Sequence, residues 1–514
     1  MSGEGRTTAD LWQLVEWRAA VTPDGEALVD RAGRRVTFAV LRDRALSMAA
    51  GLHALGVGDG DTVAWELPTS IEAVELAVAL HRLGAIQVPI IAIYRDREVL
   101  HCCREAGARW LVTTDEFRGY DFAAMGARVA AELGIEHVVV IPGTVPAGDP
   151  THLAPATARP ADPRWVFYTS GTTALPKGAR HRDQALSWVG GAMAHAMHLE
   201  DVDRYSLVFP FPHIGGIVLL YSGLHSGCTH LLDDAFDPAS TPQFLAREGV
   251  THAGTGTPFH VAYLAAQRAD PGRRLFPHLK CCPGGAAPKP PTLHEQLKQE
   301  LGGVGIISSW GLTEAPILTC SSFDDPDDKL ATTEGRPLPG VELRVVTAAG
   351  EIVTTDGEGE LQVKAPQVTV GYMDSTQDAP AFVEGWFRTG DLGVIDADGY
   401  VRITGRLKDV IIRNGENISA KEVEDLLFSH PKVADAAVVG IPDERTGERV
   451  CAVVATTDGA EPLGFVEMAD YLRERGLRGQ AIPERLEHIA ALPRNPAGKV
   501  TKQALRDRLT ASGA

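Results

Sequence analysis

Residues 168–178 read Tyr-Thr-Ser-Gly-Thr-Thr-Ala-Leu-Pro-Lys-Gly and follow a short apolar run, residues 165–167. Backbone N–H groups and hydroxyls can donate hydrogen bonds to phosphate oxygens, and Lys177 adds a positive charge. The stretch is not the common phosphate loop, which requires Gly, four residues and then Gly-Lys-Ser/Thr. Because of these donors we expect a phosphate-binding loop of another kind. The alternative interpretation is a flexible surface turn.

Further motifs follow this loop in a fixed order along the chain. They are Gly284–Ala287, Trp310–Glu314, Arg388–Asp391, Gly405–Asp409 and Pro493–Lys499. Together with residues 168–178 they resemble the signature of the adenylate-forming superfamily, which includes acyl-CoA synthetases, luciferases and peptide-synthetase adenylation domains. The resemblance covers essentially the whole chain.

The resemblance implies an ATP site assembled from these motifs. Asp391 is expected to accept both ribose hydroxyls, with Arg406 nearby as a second ribose or phosphate contact. Trp310, where the family most often has tyrosine, is expected to stack on adenine. Ala174 stands where the family usually has glycine, which narrows the backbone angles without abolishing binding. The full predicted nucleotide set is Thr169, Ser170, Gly171, Thr172, Thr173, Lys177, Gly284, Gly285, Ala286, Ser309, Trp310, Gly311, Asp391 and Arg406.

An acidic residue, Glu314, also falls within these motifs. A carboxylate beside a triphosphate is repelled unless a cation lies between them, and Mg²⁺ commonly uses one carboxylate plus phosphates. We therefore predict that Glu314 holds Mg²⁺ together with the ATP phosphates and that Thr313 reaches a phosphate. The alternative is that Glu314 is an acid at a helix N-terminus, beside the helix dipole.

Two further residues are implied to act in catalysis with Glu314 and Thr313. Attack of a carboxylate on the α-phosphate brings two anions together, and Lys499 would offset their repulsion in the transition state. His213, in Phe-Pro-Phe-Pro-His-Ile-Gly-Gly, corresponds to a family position at the carboxylate end of the acyl pocket that can act as a gate. A hydrogen-bonded structural histidine is the alternative for His213.

The segments expected to face the acyl group contain apolar, aromatic and small residues. The predicted pocket residues are Phe211, His213, Ile214, Gly285, Trp310 and Pro316. Amino-acid adenylation domains use an aspartate near 210–215 to hold the α-amine, and this chain has Phe-Pro-His-Ile-Gly there. Residues 174–181 and 312–317 look most like those of bacterial ligases for medium-chain, alicyclic or sterol-derived acids.

The resemblance also predicts two domains, residues 1–407 and 408–514. Family members rotate the small domain about the position of Lys408. One orientation serves adenylation and supplies Lys499. The other serves thioester formation, with the loop that contains Gly415 lining the tunnel for the CoA thiol arm.

The predicted activity is that of an ATP-dependent acyl-CoA synthetase with ATP, Mg²⁺ and coenzyme A. A carboxylic acid would form acyl-AMP and pyrophosphate, and CoA would then displace AMP. One alternative is an adenylating enzyme that loads a carrier protein. Another is a non-catalytic nucleotide-binding relative, against which the intact Lys499, Glu314 and Asp391 argue. The acid, the pathway and a homodimeric state are left open.

Composition and charge limit the classes of protein and of partner that remain possible. The chain has 514 residues, 44% hydrophobic residues and a net charge of −18, which argues against a nucleic-acid partner. Neither an apolar run of 18 residues nor an apolar signal core is present, so we expect a cytoplasmic protein without an integral membrane span. The seven cysteines include no Cys-x-x-Cys and predict buried, reduced thiols. The 17 histidines include no His-x-x-x-His pair, so no structural metal is expected.

These residues must be positioned by an α/β framework. Residues 38–55 and 70–83 are predicted as helices that end at glycine, and 110–112 and 138–141 as strands, which indicates largely parallel sheets. After about residue 335 the pattern becomes strand-rich, with strands at 341–346, 359–363 and 399–404. The last hundred residues predict a compact α+β unit. Its elements are a helix opened by a capping box at Ser419, strands at 433–439 and 449–455, and a final helix at 501–510.

Overall fold

A computed structural model describes residues 9–169, 175–285, 289, 291–353, 355–414, 416–443, 445–457, 459–494 and 500–511. The chain forms a mixed α/β structure with a large N-terminal and a smaller C-terminal domain, which confirms the predicted fold class. The helices are α1 Leu11–Val21, α2 Phe38–Leu55, α3 Ile71–Leu83, α4 Asp96–Ala106, α5 Phe122–Leu133, α6 Asp183–Ala196, α7 Ile214–Ser226, α8 Thr241–Arg247, α9 Thr257–Ala269, α10 Pro291–Glu300, α11 Asp327–Thr332, α12 Asp378–Ala381, α13 Ala420–Phe428, α14 Phe465–Glu474 and α15 Lys502–Ala511.

Twelve strands precede residue 233. They are β1 Glu26–Asp30, β2 Arg35–Thr37, β3 Thr62–Glu66, β4 Ile86–Pro89, β5 Trp110–Thr113, β6 Glu116–Phe117, β7 Tyr120–Asp121, β8 Glu136–Val139, β9 Pro163–Thr169, β10 Lys177–Arg182, β11 Arg204–Leu207 and β12 Thr229–Leu232. Two sheets result, in the orders β11-β12-β1-β2 and β10-β9-β4-β3-β5-β8. Most neighbours are parallel, as predicted, while β2 and β10 run antiparallel to theirs.

The next strands form the strand-rich part of the large domain. They are β13 Cys282–Gly284, β14 Ile306–Leu312, β15 Ala315–Cys320, β16 Arg336–Pro337, β17 Glu342–Val346, β18 Ile352–Val353, β19 Gly359–Lys364, β20 Phe382–Val383, β21 Trp386–Ile395 and β22 Val401–Arg406. One sheet has the order β13-β14-β15-β16. The other has the order β18-β17-β19-β21-β20, with β22 paired to β21.

The smaller domain has a separate sheet and a separate core. Its strands are β23 Val410–Arg413, β24 Glu416–Ser419, β25 Val433–Asp443, β26 Gly447–Thr456 and β27 Arg485–His488. Helices α13 and α14 contribute apolar side chains to this core, including Val423, Leu427 and Met468. The largest core lies in the N-terminal domain, where α1, α2, α3 and α7 bury apolar residues.

Local sequence signals explain several boundaries. Helix α2 begins after Thr37, whose side chain accepts a hydrogen bond from the Val40 N–H, and it ends at Gly56 with φ of 107°. Ser419 caps α13 by accepting from the Glu422 N–H, as predicted. Strand β8 lies two residues earlier than predicted because it pairs with β5, which ends at Thr113 opposite Val139.

All seven cysteines are buried and unbridged, which confirms the prediction of buried thiols. No helix in the described part of the chain combines the length and apolarity needed to cross a membrane.

Candidate active site

The motif Trp310–Glu314 lies on a β-hairpin. Strands β14 and β15 pair antiparallel with Leu312 opposite Ala315, so Thr313 and Glu314 form the tip. A Cβ at Gly311 would lie 2.3 Å from the backbone nitrogen of Ile317, so this close approach requires glycine. Glu314 therefore lies on a hairpin tip, and the alternative of an acid at a helix N-terminus is wrong.

Main-chain hydrogen bonds anchor this tip to the framework. The carbonyl of Thr313 accepts a hydrogen bond from His181 Nε2 at 2.9 Å, and the carbonyl of Glu314 accepts from the Thr369 N–H at 2.7 Å. Burial lowers the pKa of His181 to about 4, so the imidazole is neutral at pH 7. A carbonyl can only accept, so Nε2 carries the ring hydrogen in this tautomer.

Tyr372 joins the predicted metal ligand to the predicted phosphate lysine. Its hydroxyl donates to Glu314 Oε1 at 2.8 Å, and the Lys177 ammonium lies 5.6 Å from its ring centroid. Burial, and then the charge of Glu314, raise the pKa of Tyr372, so its hydroxyl remains a donor. Lys177 is also the register partner of Thr169, so the two ends of the predicted phosphate loop lie side by side.

Sequence reasoning missed Tyr372. It lies 58 residues from Glu314 and almost 200 residues from Lys177, and it belongs to none of the motifs that we singled out. Only the folded chain shows that all three side chains meet.

Asp391 is held by two hydrogen-bond donors. Trp310 Nε1 donates to its Oδ2 at 2.8 Å and Arg406 Nε donates to its Oδ1 at 2.8 Å. The Asp391 side chain is 4% exposed. Asp391 and Arg406 are also register partners on β21 and β22, so backbone pairing brings these two predicted nucleotide contacts together.

Trp310 is buried in the strand-rich part of the large domain. It is 7% exposed and belongs to the same apolar cluster as Leu318, Val345 and Leu361. Its indole N–H points to Asp391. Trp310, predicted to line the acyl pocket, is thus packed mainly into a core.

The glycines before the hairpin lie next to it. Gly284 on β13 pairs with Ser308 on β14, and its carbonyl accepts from Ser309 Oγ at 3.2 Å. A Cβ at Gly285 would meet the Ser309 carbonyl oxygen at 3.0 Å. Gly284, Gly285 and Ser309, three of the predicted nucleotide contacts, therefore lie next to one another.

A small pocket lies at the carboxyl ends of β4 and β9. Thr313 on the hairpin tip and His213 both line it. His213 also caps α7, because its ring Nδ1 accepts a hydrogen bond from the Gly215 N–H at 3.1 Å. The lining residues of the pocket are Pro89, Ile90, Ile91, Tyr94, Phe167, Tyr168, Pro212, His213, Ile214 and Thr313. Of the six predicted acyl-pocket residues, His213 and Ile214 are on this wall.

The prediction for Phe211 requires correction. Its side chain has 0% exposure and packs against Trp65, with ring centroids 6.0 Å apart. Phe211 supports the wall from the core because the turn at residues 210–213 directs its ring inward and leaves His213 on the cavity side. Sequence reasoning also missed the segment from Pro89 to Tyr94, whose apolar residues look like the end of an ordinary buried strand.

The predicted hinge lies in a 3-10 turn, Leu407–Asp409. Burial and the neighbouring charge of Arg406 lower the pKa of Lys408. Close by, Ser419 Oγ of the smaller domain donates to the carbonyl of Thr404 at 2.8 Å.

Several predicted residues lie outside the described residues. They are Ser170, Gly171, Thr172, Thr173, Ala174, Ala286, Gly415 and Lys499. Within the described ranges, no group of three or more His, Cys, Asp or Glu side chains is arranged to hold a metal ion. Glu314 supplies a single carboxylate, which fits a metal that takes its other ligands from phosphates.

Comparisons with known proteins show which families and structures the chain is similar to. Residues 15–373 match the model of the AMP-binding enzyme family and residues 422–499 match that of the AMP-binding enzyme C-terminal domain. A structure of o-succinylbenzoate CoA synthetase from Bacillus subtilis, in complex with ATP and magnesium ion, superposes with a TM-score of 0.83 at 27% identity, covering 96% of this chain and 98% of the other.

Two similar proteins come from Mycobacterium tuberculosis. One, a CoA ligase named for a methyl-dioxo-octahydro-indenyl propanoyl group, is 34% identical over 94% of this chain and 96% of its own length. The other, a salicyl-AMP ligase and salicyl-S-ArCP synthetase, is 32% identical over 94% of this chain and 88% of its own length.

Proposed function

The chain belongs to the AMP-binding enzyme family, and from that premise we propose that it is an ATP-dependent acyl-CoA synthetase. As an adenylate-forming acid–thiol ligase it uses ATP and Mg²⁺, and CoA is the thiol named for the CoA ligases among its relatives. The proposal adds the role of each side chain, the class of acid and the identity of the thiol.

The observation that carries the proposal is the meeting of Lys177, Tyr372 and Glu314 at the hairpin tip. An ammonium and a carboxylate share one tyrosine, with the ammonium on its ring and the carboxylate on its hydroxyl. The pair suits a phosphate chain that carries a divalent cation, because Lys177 attracts phosphate oxygens and Glu314 has a second oxygen for the metal. Bound Mg²⁺ would neutralise phosphate charge.

At the other end of the nucleotide, Asp391 would accept the ribose hydroxyls. Its carboxylate is oriented by Trp310 and Arg406. Gly284, Gly285 and Ser309 would border the adenine and the acyl group.

The reaction then needs little covalent chemistry from the protein. The acid's carboxylate attacks the α-phosphorus of ATP, the bond to the β-phosphate oxygen breaks, and pyrophosphate leaves. Lys499 offsets the charge of the two anions, and positioning supplies most of the remaining rate. In the second step the CoA thiol sulfur attacks the acyl carbon, its proton is lost, and AMP leaves.

We propose that residues 1–407 and 408–514 alternate between these two steps by turning at Lys408. One orientation would bring Lys499 to the nucleotide. The other would bring the loop with Gly415 to the thiol arm.

We propose an apolar acid, of medium-chain, alicyclic or sterol-derived type. The described cavity lining includes no aspartate, glutamate, lysine or arginine, so it offers no counter-charge to an amino acid or a second carboxylate. Each CH₂ group buried there should favour binding by about 0.8 kcal/mol. The alicyclic group in the name of one Mycobacterium tuberculosis relative is in keeping with this class.

A carrier protein is the second candidate for the thiol. The salicyl-S-ArCP synthetase is about as similar to this chain as the CoA ligase from the same organism. Overall identity therefore does not discriminate between the two thiols.

The decisive experiment is an acid panel assayed separately for pyrophosphate release and for thioester formation. The acids are acetate, straight-chain acids of increasing length, an alicyclic propanoate, salicylate and an amino acid, each with CoA or with a pantetheinylated aryl carrier protein. We expect kcat/KM with CoA to rise by about tenfold for every two added CH₂ groups until the pocket is filled. Acetate or an amino acid as the best substrate would contradict the apolar pocket, and thioester formation only on the carrier would favour the second candidate.

Lys499→Ala separates the two half-reactions. It should lower pyrophosphate release by orders of magnitude, because transition-state charge stabilisation is removed. The same variant should still convert a supplied acyl-adenylate to the CoA ester. An equal loss of rate in both half-reactions would contradict the assignment of Lys499 to adenylation alone.

A further inference from the structure

We infer that Trp310 is a positioning residue for the nucleotide ribose and that it acts through its hydrogen bond to Asp391. The inference rests on the proposed nucleotide site. It assigns to the indole N–H a role distinct from the stacking expected of an aromatic ring at this position.

The first argument is the geometry of the carboxylate. Trp310 occupies one lone-pair position of Oδ2 and Arg406 occupies one of Oδ1, both at 2.8 Å. An ionised carboxylate has about four such positions. Each oxygen therefore retains one for a ribose hydroxyl, and the two existing bonds fix the direction in which the free positions point.

The second argument is the difference between the two donors. The Arg406 side chain is 40% exposed and lies two residues before the predicted hinge Lys408. Trp310 is 7% exposed and is packed in the core of the strand-rich part of the large domain. Trp310 is thus the fixed donor, able to keep Asp391 oriented when the chain near the hinge moves.

The third argument concerns the chemistry of the indole. Its Nε1–H is a donor only, so it cannot compete with Asp391 for the ribose hydroxyl hydrogens. A buried N–H that loses its acceptor is costly, which ties the indole and the carboxylate to one arrangement. The hydrogen bond spans 81 residues and joins β14 to β21, so it also links the hairpin strand to the ribose contact.

The test compares ATP with 2′,3′-dideoxy-ATP, which lacks both hydroxyls, by calorimetric binding to the full chain. In Trp310→Phe a ring remains for stacking but the donor is gone. We expect its Kd for ATP to rise about tenfold, as for loss of a hydrogen bond to a charged group. Its Kd for dideoxy-ATP should change less than about twofold. Trp386→Phe, on β21 but outside the site, is the matched control and should leave both constants unchanged.

The ratio of the two dissociation constants decides the outcome. If Trp310→Phe weakens both nucleotides equally, or neither, Trp310 acts by stacking or packing and the inference is overturned. Trp310→Leu supplies the same ratio if the phenylalanine variant does not fold. In steady state the KM for ATP should rise while the KM for the acid stays unchanged.

Asp391→Asn separates failure of the inference from failure of the proposed site. Wild-type protein should prefer ATP to dideoxy-ATP, and this variant should lose the preference. If it keeps the preference, the ribose site is elsewhere, and both the site assignment and the inference are overturned. If Asp391→Asn loses the preference for ATP but Trp310→Phe keeps the wild-type preference, only the inference is overturned.

Discussion

The two acids of the candidate site differ in how the fold holds them. Asp391 has a 4% exposed side chain, with one donor on each oxygen: Arg406 on the neighbouring strand β22, and Trp310 on β14 of another sheet. Glu314 is partly exposed at a hairpin tip and bonds to Tyr372 through Oε1. The ribose end is therefore built from three buried or paired strands, β14, β21 and β22, while the accessible acid of the phosphate end lies at a hairpin tip.

This difference fits the tasks proposed for the two ends. A ribose keeps its hydroxyl groups throughout the reaction, so a buried, fully oriented carboxylate serves it best. The phosphate end must accept a cation and release pyrophosphate, so its acid needs an accessible oxygen. Loss of function should therefore appear in catalysis at the phosphate end and in binding at the ribose end.

The largest effect is expected from exchanging each acid for its amide. Glu314→Gln should lower kcat for adenylation by about 10²–10³, because it removes charge that stabilises the metal–phosphate transition state. Asp391→Asn should instead raise the KM for ATP by about tenfold, with a smaller effect on kcat, because a hydrogen bond to a charged group is weakened. Steady-state pyrophosphate release measures kcat and the KM for ATP in each variant. A fall in kcat of equal size in the two variants would contradict the proposed difference between the ribose end and the phosphate end.

A smaller effect is expected from removing the tyrosine hydroxyl at the phosphate end. Tyr372→Phe should raise the Mg²⁺ concentration needed for half-maximal adenylation by about threefold to tenfold, since Glu314 loses the hydrogen bond that orients it. Tyr400→Phe is the matched control, because Tyr400 is also buried and also donates to a carboxylate, Asp325, at 2.8 Å. An unchanged Mg²⁺ requirement in Tyr372→Phe would show that Glu314 is oriented by other contacts.

The smallest effect concerns His181, which supports the hairpin tip. Its pKa is about 4 in the folded protein and about 6.5 when unfolded, so the unfolded chain binds a proton first as the pH falls. The free energy of unfolding should therefore decrease between about pH 6.5 and pH 4. Between pH 7 and pH 5 this residue should decrease the free energy of unfolding by about 1–2 kcal/mol. In urea titrations His181→Gln should therefore lose that much less stability over the same pH range.

His230 offers a control for the same titration. Burial lowers its pKa to about 4 as well, and its Nε2 bonds to the Leu219 carbonyl away from the hairpin. His230→Gln should reduce the acid sensitivity of stability by a similar amount. Only His181→Gln should also lower the rate of adenylation at pH 7. Equal activity in the two variants would show that the hydrogen bond from His181 is not needed to hold the hairpin tip for adenylation.

Much of the framework could be predicted because local signals agree with it. Thr37 and Gly56 bound α2 at both ends, and alternating helices and apolar runs indicated the parallel sheets. Boundaries set by pairing were less accurate, as with β8, whose extent depends on its neighbour β5. The burial of Phe211 was missed because neighbouring residues in an irregular turn can face opposite sides without any periodic pattern.

The sequence by itself determined the family, the order of its motifs and the types of side chain available for phosphate, ribose and cation. Those properties depend on residue identity and spacing along the chain. Only the tertiary structure decided that Tyr372 joins Lys177 to Glu314, and that Trp310 donates to Asp391. Such contacts join residues tens to hundreds of positions apart. They depend on strand register and core packing, which no local pattern in the chain encodes.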